Sequence, residues 1–464
     1  ESIFLLLPAL TAVIYGEPEL PAYLIAAAIS LAGAALLCHR KPKNTRFYAR
    51  EGYVTVALCW LILAVIGALP FVLSREIPFF IDALFETVSG FTTTGATILG
   101  DVEALSHASM LWRCLTHWVG GMGVLVFMLI VLPLAGGQTI FLMRAESPGP
   151  AVSKMSPHMR DTATILYAIY FGLTVLQMIL LLIGGMPLFD AICVSLGTAG
   201  TGGFGNWNDS IAHYNSAYLQ NVITVFMILF GINFSAYFLI LTRKFRQAFR
   251  IEEIRVYLGV IFVFAGLIAF NVRPMFGSLR ESFHHALFQV ASIITTTGFS
   301  STDFNQWPAL SKTVLVLLMF VGACAGSTGG GIKVSRILIL CKAAKKEFQL
   351  YLHPNAVKKI KMDDKVITHD ILRSTNIYIS LYLMIFAASV LLIAIDNFDL
   401  ITNFMAVTAT LNNIGPGFEI VGPMGNFSSF SYLSKCVLIF DMLAGRLEIF
   451  PLLLLFFKGT WKKF

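Results

Sequence analysis

Four stretches of this 464-residue chain run into a turn of small residues and glycine: "FIDALFETVSGFTTTGAT", "LFDAICVSLGTAGTGGFG", "SFHHALFQVASIITTTGFS" and "NFDLITNFMAVTATLNNIGPGF". Each reads as an amphipathic helix of about three turns followed by a key glycine: Gly95, Gly202, Gly298 or Gly415. The chemistry such turns could do is cation binding. A dehydrated cation must recover its lost water oxygens, and backbone carbonyls on a ring of extended turns can supply them. Glycine reaches backbone angles that let a carbonyl face the axis, and each short helix would aim its negative C-terminal end beneath the turn. The candidate ligands are Thr93, Thr94 and Gly95; Gly200, Thr201 and Gly202; Thr296, Thr297 and Gly298; and Asn413, Ile414 and Gly415. Threonine hydroxyls would add oxygens. The alternative is four ordinary extracellular loops with glycine turns.

The elements that must carry these turns are membrane helices. With 57% hydrophobic and only 13% charged residues, and apolar runs about 20 residues long, the chain reads as a polytopic all-α membrane protein. Ten candidate spans lie near 2–15, 21–38, 52–74, 109–134, 162–184, 217–241, 256–271, 311–340, 371–395 and 431–457. Segments 39–50, 143–161, 242–255, 333–365 and 458–464 hold 25 of the 33 Lys and Arg residues, which puts them, and both termini, in the cytoplasm by the positive-inside rule. The net charge of +7 therefore needs no nucleic acid; a cytoplasmic leaflet or an acidic partner accounts for it. The seven cysteines are scattered and show no metal-ligand or disulfide spacing.

The turn-bearing segments are too short to cross the membrane, so the chain reads as four units of helix, re-entrant helix, turn and helix, preceded by two further spans. The expected boundaries are 1–50 for the N-terminal pair with its basic loop, then 51–142, 143–250, 251–365 and 366–464. Two spans per unit give all four the same orientation, which favours four-fold pseudosymmetry about a central pore over an inverted repeat. Non-helical backbone at membrane depth must be buried in protein or line a wet cavity.

A second glycine-rich break, "GACAGSTGGGIK", follows an apolar run, 313–321, of only about 14 Å of helix, and so falls near mid-membrane. Gly322, Gly326, Ser327, Thr328, Gly329, Gly330 and Gly331 are expected to form a movable gate loop below the filter. A helix kink for close packing is the rival; a phosphate-binding loop lacks the spacing and the preceding strand. Gly123, Gly231, Gly326 and Gly445 recur at similar depth below the four turns. Beside the last stands Arg446, deep in a span, where a cation is costly. It is expected either to enter the pore or to hold the loop's carbonyls shut, with neutralisation by another span as the alternative. Asp82, Glu86, Asp190, Glu281, Asp303, Asp399 and Glu419 fall on the outer side, where caps or loop charges are the plain reading and cation steering the functional one. His117 and Asn233 are expected to satisfy neighbouring backbone.

These turns, with the glycine-rich break and "AGRLEIF", resemble the TrkH/TrkG/KtrB/HKT superfamily of potassium transporters over essentially the whole chain, and the two extra N-terminal spans resemble its TrkH branch. The resemblance implies potassium uptake across the cell inner membrane, with rubidium as a second permeant ion. It also implies a homodimer and a cytoplasmic ring of TrkA-type nucleotide-binding subunits. Potassium would sit at Thr94, Gly95, Thr201, Gly202, Thr297, Gly298, Ile414 and Gly415. In the fourth turn Asn412, Asn413, Ile414 and Pro416 replace the threonines and aromatic of the others.

Function then narrows to a gated, cation-selective, channel-like pore, with a proton- or sodium-coupled symporter as the alternative; no carboxylate falls inside a filter turn. An enzyme is disfavoured because no nucleophile with a base, metal cluster or dyad recurs at plausible depth. A receptor or scaffold would not require four re-entrant turns.

Overall fold

The structure, a computed structural model, describes residues 1–39, 49–123, 159–355, 358–363 and 365–461. The basic segment 143–161 lies almost wholly outside the described residues, as do most of 39–50 and the part of span 109–134 after Gly123. Helices α1 (Ser2–Tyr15) and α2 (Leu20–His39) precede the first repeat. That repeat is α3 (Ala49–Ser74), the short α4 (Phe80–Phe91), a turn, and α5 (His107–Gly121). The second is α6 (Met159–Ile183), α7 (Leu188–Gly200), a turn, α8 (Ala217–Phe230) and α9 (Phe234–Leu241). The third is α10 (Glu252–Phe276), α11 (Leu279–Ile294), a turn, α12 (Ala309–Val321) and α13 (Val334–Leu352). The fourth is α14 (His369–Ile393), α15 (Leu400–Leu411), a turn, α16 (Tyr432–Arg446) and α17 (Phe450–Phe456). Among the described residues the only strands are two of two residues each, Lys361–Met362 and Lys365–Val366, paired antiparallel.

Five described helices are long and apolar enough to cross a membrane, and a sixth span is possible by those criteria if the bent pair α8 and α9 counts as one. The re-entrant helices differ in kind. At 12 residues, α4 and α15 rise only about 18 Å, too little to cross the roughly 30 Å hydrocarbon layer. Their C-terminal halves are buried while the long helices turn apolar side chains outward: Phe262, Val263, Leu383 and Leu391 are all exposed, as lipid contact requires. Serine caps start three of the second helices, Ser106, Ser216 and Ser431 each accepting from the backbone N–H three residues on.

The expected continuity of spans 217–241 and 431–457 does not hold. The first bends by 93° between α8 and α9. Asn233 caps the new helix by accepting from Ser235 N–H at 2.8 Å, and the Gly231 carbonyl is free to accept from Cys324 N–H at 3.1 Å. The second breaks at Glu448 and Ile449, both with positive φ, and Pro451, which has no N–H to donate, sits in the first turn of α17. In both, the break lies below the turn, at the level where the third repeat inserts its loop.

The candidate site: a ring of four turns above a glycine loop

The four turns share one backbone course. A left-handed residue (Thr93, Thr201, Thr296, Asn413; φ 55–57°) is followed by an intermediate residue and then by a glycine at φ 81–93°, namely Gly95, Gly203, Gly298 and Gly415. The N–H of the intermediate residue returns to a carbonyl five residues back in every case: Thr94 to Ser89, Gly202 to Gly197, Thr297 to Ser292, Ile414 to Ala409. This corrects the equivalence read from the sequence in the second repeat, where Gly203 and not Gly202 matches Gly95. "TGG" offers two adjacent glycines, and only the backbone tells them apart. With that shift, 28 residues separate Gly95, Gly203 and Gly298 from Gly123, Gly231 and Gly326 alike.

The turns close on each other. A Cβ built on Gly95 would overlap the Gly202 carbonyl, one on Gly203 the Thr297 carbonyl, one on Gly298 the Ile414 carbonyl, and one on Gly415 the Thr94 carbonyl. Each repeat's glycine thus admits the next repeat's carbonyl, and the fourth returns to the first. No larger residue fits at these four positions without moving a backbone oxygen of its neighbour.

Not all hydroxyls expected as ligands are free to be so. Thr94 Oγ1 lies 2.8 Å from Thr92 Oγ1 and accepts from Asn413 Nδ2 at 2.9 Å; Thr297 Oγ1 lies 2.7 Å from Thr295 Oγ1. The fourth turn keeps the backbone course of the others despite its different residues. Asn413 also donates to the Met442 carbonyl, and Asn412 accepts from Tyr382.

Above the ring is a cavity of about 110 Å³ lined by Gly95, Gly203, Gly415, Pro416 and Asn208 among others. Several outer-side acids serve structure there. Glu86 is buried, pairs with Arg113 Nε at 2.8 Å and accepts from Thr97 and Ile98 in the segment leaving the first turn. Asp190 accepts from Asn206, Trp207 and Tyr214. Asp82 pairs with Lys435 at 2.6 Å, and Asp303 and Asp399 cap helices.

Below the ring runs the loop between α12 and α13. Gly322, Gly326 and Gly331 take positive φ, and the loop is stitched to its surroundings: Phe234 N–H donates to Gly326, Thr328 N–H and Oγ1 to Phe230, and Gly330 N–H to Thr296 Oγ1 at 2.6 Å. Gly329 packs on the Thr295 carbonyl and Gly330 on that of Asn412, so the loop touches the underside of two turns. Ser327 bonds back to the Cys324 carbonyl. Arg446 donates to the Thr328 carbonyl at 2.8 Å, to Thr93 Oγ1 at 3.2 Å and to the carbonyls of Gly120 and Gly121. The sequence reading also missed three supports. Glu253 Oε1, 3% exposed, accepts from both Ala325 N–H at 2.7 Å and Ser335 N–H at 3.1 Å, bridging the loop's two ends. Lys333, counted among the cytoplasmic cations, is buried and donates to Gly329, and Arg336 is buried against Glu448 and the Tyr378 ring. These two cations therefore serve the loop and its flank rather than an open basic surface.

Four re-entrant units closed into one carbonyl ring, with long apolar helices outside it, define a multi-pass membrane protein built for transport. Residues 21–462 match the family model TrkH, described as a cation transport protein, and this chain belongs to that family. It is 37% identical over 465 residues to the Trk system potassium uptake protein TrkH of Escherichia coli K12, covering 99% of this chain and 96% of that protein. It is 33% identical to the TrkG protein of the same strain, at the same coverage. The crystal structure of the potassium transporter TrkH from Vibrio parahaemolyticus is similar with a TM-score of 0.88 at 31% identity, covering 99% of this chain and 96% of that one.

Proposed function

We propose that this protein takes up potassium across the cell inner membrane through a gated, channel-like pore. The observation that carries the reading is the closed ring in which each turn's glycine admits the next turn's carbonyl. The ion's ligands would be the carbonyls of Thr94, Gly202, Thr297 and Ile414, with neighbouring carbonyls of Thr93, Thr201, Thr296 and Asn413 below. Gly322 to Gly331 and Arg446 form the gate in this reading, and the loop's contact with Thr296 and Arg446's with Thr93 support a closed conformer. The unit boundaries at 51, 143, 251 and 366 follow the repeat order. The relatives' printed name, a Trk system protein, fits a multi-component assembly; in this reading the chain is a homodimer regulated by a TrkA-type nucleotide-binding ring, with both termini cytoplasmic by the positive-inside rule. No catalytic step is assigned to the chain.

A coupled symporter has one observation in its favour. Asp441, fully buried in α16, accepts from Ser389 through one oxygen, and its other oxygen has no hydrogen-bond partner among the described residues. The deciding experiment is rubidium-86 uptake into proteoliposomes with sodium as competitor and no proton or sodium gradient. Uptake driven by rubidium alone supports the pore; uptake that needs an imposed gradient supports coupling.

A further inference from the structure

The second turn lacks the brace that the first and third possess. In those, the residue whose carbonyl meets the ring is a threonine, and its hydroxyl is tied to a threonine two residues back, Thr94 to Thr92 and Thr297 to Thr295. The second turn has Gly202 and Gly200 at these places. Neither has a side chain.

The space behind Gly202 is occupied by another repeat. A Cβ on Gly202 would overlap the ring of His117, which comes from α5 of the first unit and is fully buried. His117 Nδ1 lies 2.7 Å from the Gly90 carbonyl at the end of the first re-entrant helix. Its Nε2 lies 3.2 Å from the backbone N of Phe204, the residue after Gly203. A carbonyl can only accept and an N–H can only donate, so Nδ1 carries the proton and Nε2 accepts, and both ring nitrogens are used. The ring also packs on that of Phe204, with centroids 4.2 Å apart.

We propose that His117 is the specificity-determining positioning residue of the second turn: its imidazole replaces the missing threonine pair and holds the Gly202 carbonyl in the ring. The inference rests on reading the ring as the filter. Removing the imidazole frees one quarter of the ring to move inward, and a ring that can contract coordinates the smaller sodium ion better. The same ring explains why residue 202 is glycine: any side chain there collides with the imidazole.

The test compares His117→Ala, His117→Asn, Gly202→Ala and His117→Ala/Gly202→Ala by rubidium-86 uptake in proteoliposomes against sodium competition, with size-exclusion profiles as the check on folding. His117→Ala is expected to let sodium compete about fivefold better, the loss of roughly one hydrogen bond's discrimination. His117→Asn, whose amide can still reach the Gly90 carbonyl but leaves Phe204 N–H unpaired, is expected to fall between. Gly202→Ala should be worse in the native background than in His117→Ala, where the methyl has room. An unchanged rubidium-to-sodium ratio in either His117 variant that elutes as the native protein does would overturn the proposal. So would strict additivity of the two substitutions, or failure of both His117 variants to fold, which would assign the residue to the fold alone. Gly298→Ala separates the two readings: if it too leaves the ratio unchanged, the filter reading fails; if it abolishes discrimination while His117 does nothing, only this inference fails.

Discussion

Arg446, at the last residue of α16, donates to the carbonyl of Thr328 across 2.8 Å, joining the fourth repeat to the glycine loop of the third. The same guanidinium reaches Thr93 in the first turn and the Gly120 and Gly121 carbonyls at the end of α5. One cation thus ties the ring, the loop and three repeats together. If the ring is the filter, the charge of Arg446 would also oppose cation entry.

Replacing it with alanine removes the tie and the charge at once. Arg446→Ala is expected to raise basal rubidium flux about tenfold or more, the scale on which charge-assisted hydrogen bonds act. Lysine should restore little, because a point charge cannot serve carbonyls on two sides as the planar fork does. Unchanged or lower flux at equal expression would remove the residue from the gate.

The corrected second turn makes its own prediction. Gly203 takes φ 81° and faces the Thr297 carbonyl, so Gly203→Ala should abolish discrimination between rubidium and sodium, as is expected of Gly95→Ala and Gly298→Ala. The check is sodium competition in the same uptake assay. If Gly203→Ala discriminates as the native protein does, the register assigned to the second turn is wrong.

Much of this was legible in the sequence because apolar run length, glycine and basic loops each answer to one physical constraint. The four re-entrant units and the loop at 322–331 follow from segments too short to cross and from glycines that cannot continue a helix. His117 and Asn233 were also legible as residues that satisfy backbone groups, and they do. What stayed hidden depended on through-space partners. Choosing Gly203 over Gly202 needs φ and the neighbouring carbonyl, and the breaks in 217–241 and 431–457 fell inside runs that read as single spans. Asn233 and Pro451 were the local signals there, a cap and a residue suited to a first turn. Lys333 and Arg336 looked like the start of a basic surface, since charge counting along the chain cannot see that they fold back against the loop and Glu448.

Glu253 offers a test of the loop's anchorage from outside the pore. Its one oxygen holds the N–H groups of Ala325 and Ser335, so Glu253→Ala leaves two buried donors unpaired. At about 1–3 kcal/mol for each, the variant should lose several degrees of thermal stability in detergent and leak rubidium. Glu253→Gln keeps an acceptor oxygen and is expected to retain most of both properties. If Glu253→Ala loses stability yet remains as tightly closed as the native protein, the contact supports the fold without restraining the gate.

The buried pair Glu86 and Arg113 makes a prediction of opposite form for its single and double variants. Both side chains are nearly inaccessible, at 0% and 2%, and the Arg113 guanidinium also lies 4.0 Å from the Phe204 ring centre. Removing one partner leaves the other charge buried without compensation, a loss of about 3–5 kcal/mol. Glu86→Gln and Arg113→Met should each be strongly destabilised in a thermal melt. The double variant should recover part of that loss, because the cost of stranding a charge disappears when both are gone. Recovery should be incomplete, since Glu86 also accepts from Thr97 and from Ile98 N–H in the segment that leaves the first turn. Losses that merely add would mean that the two residues act independently and that the ion pair is not what fixes that segment.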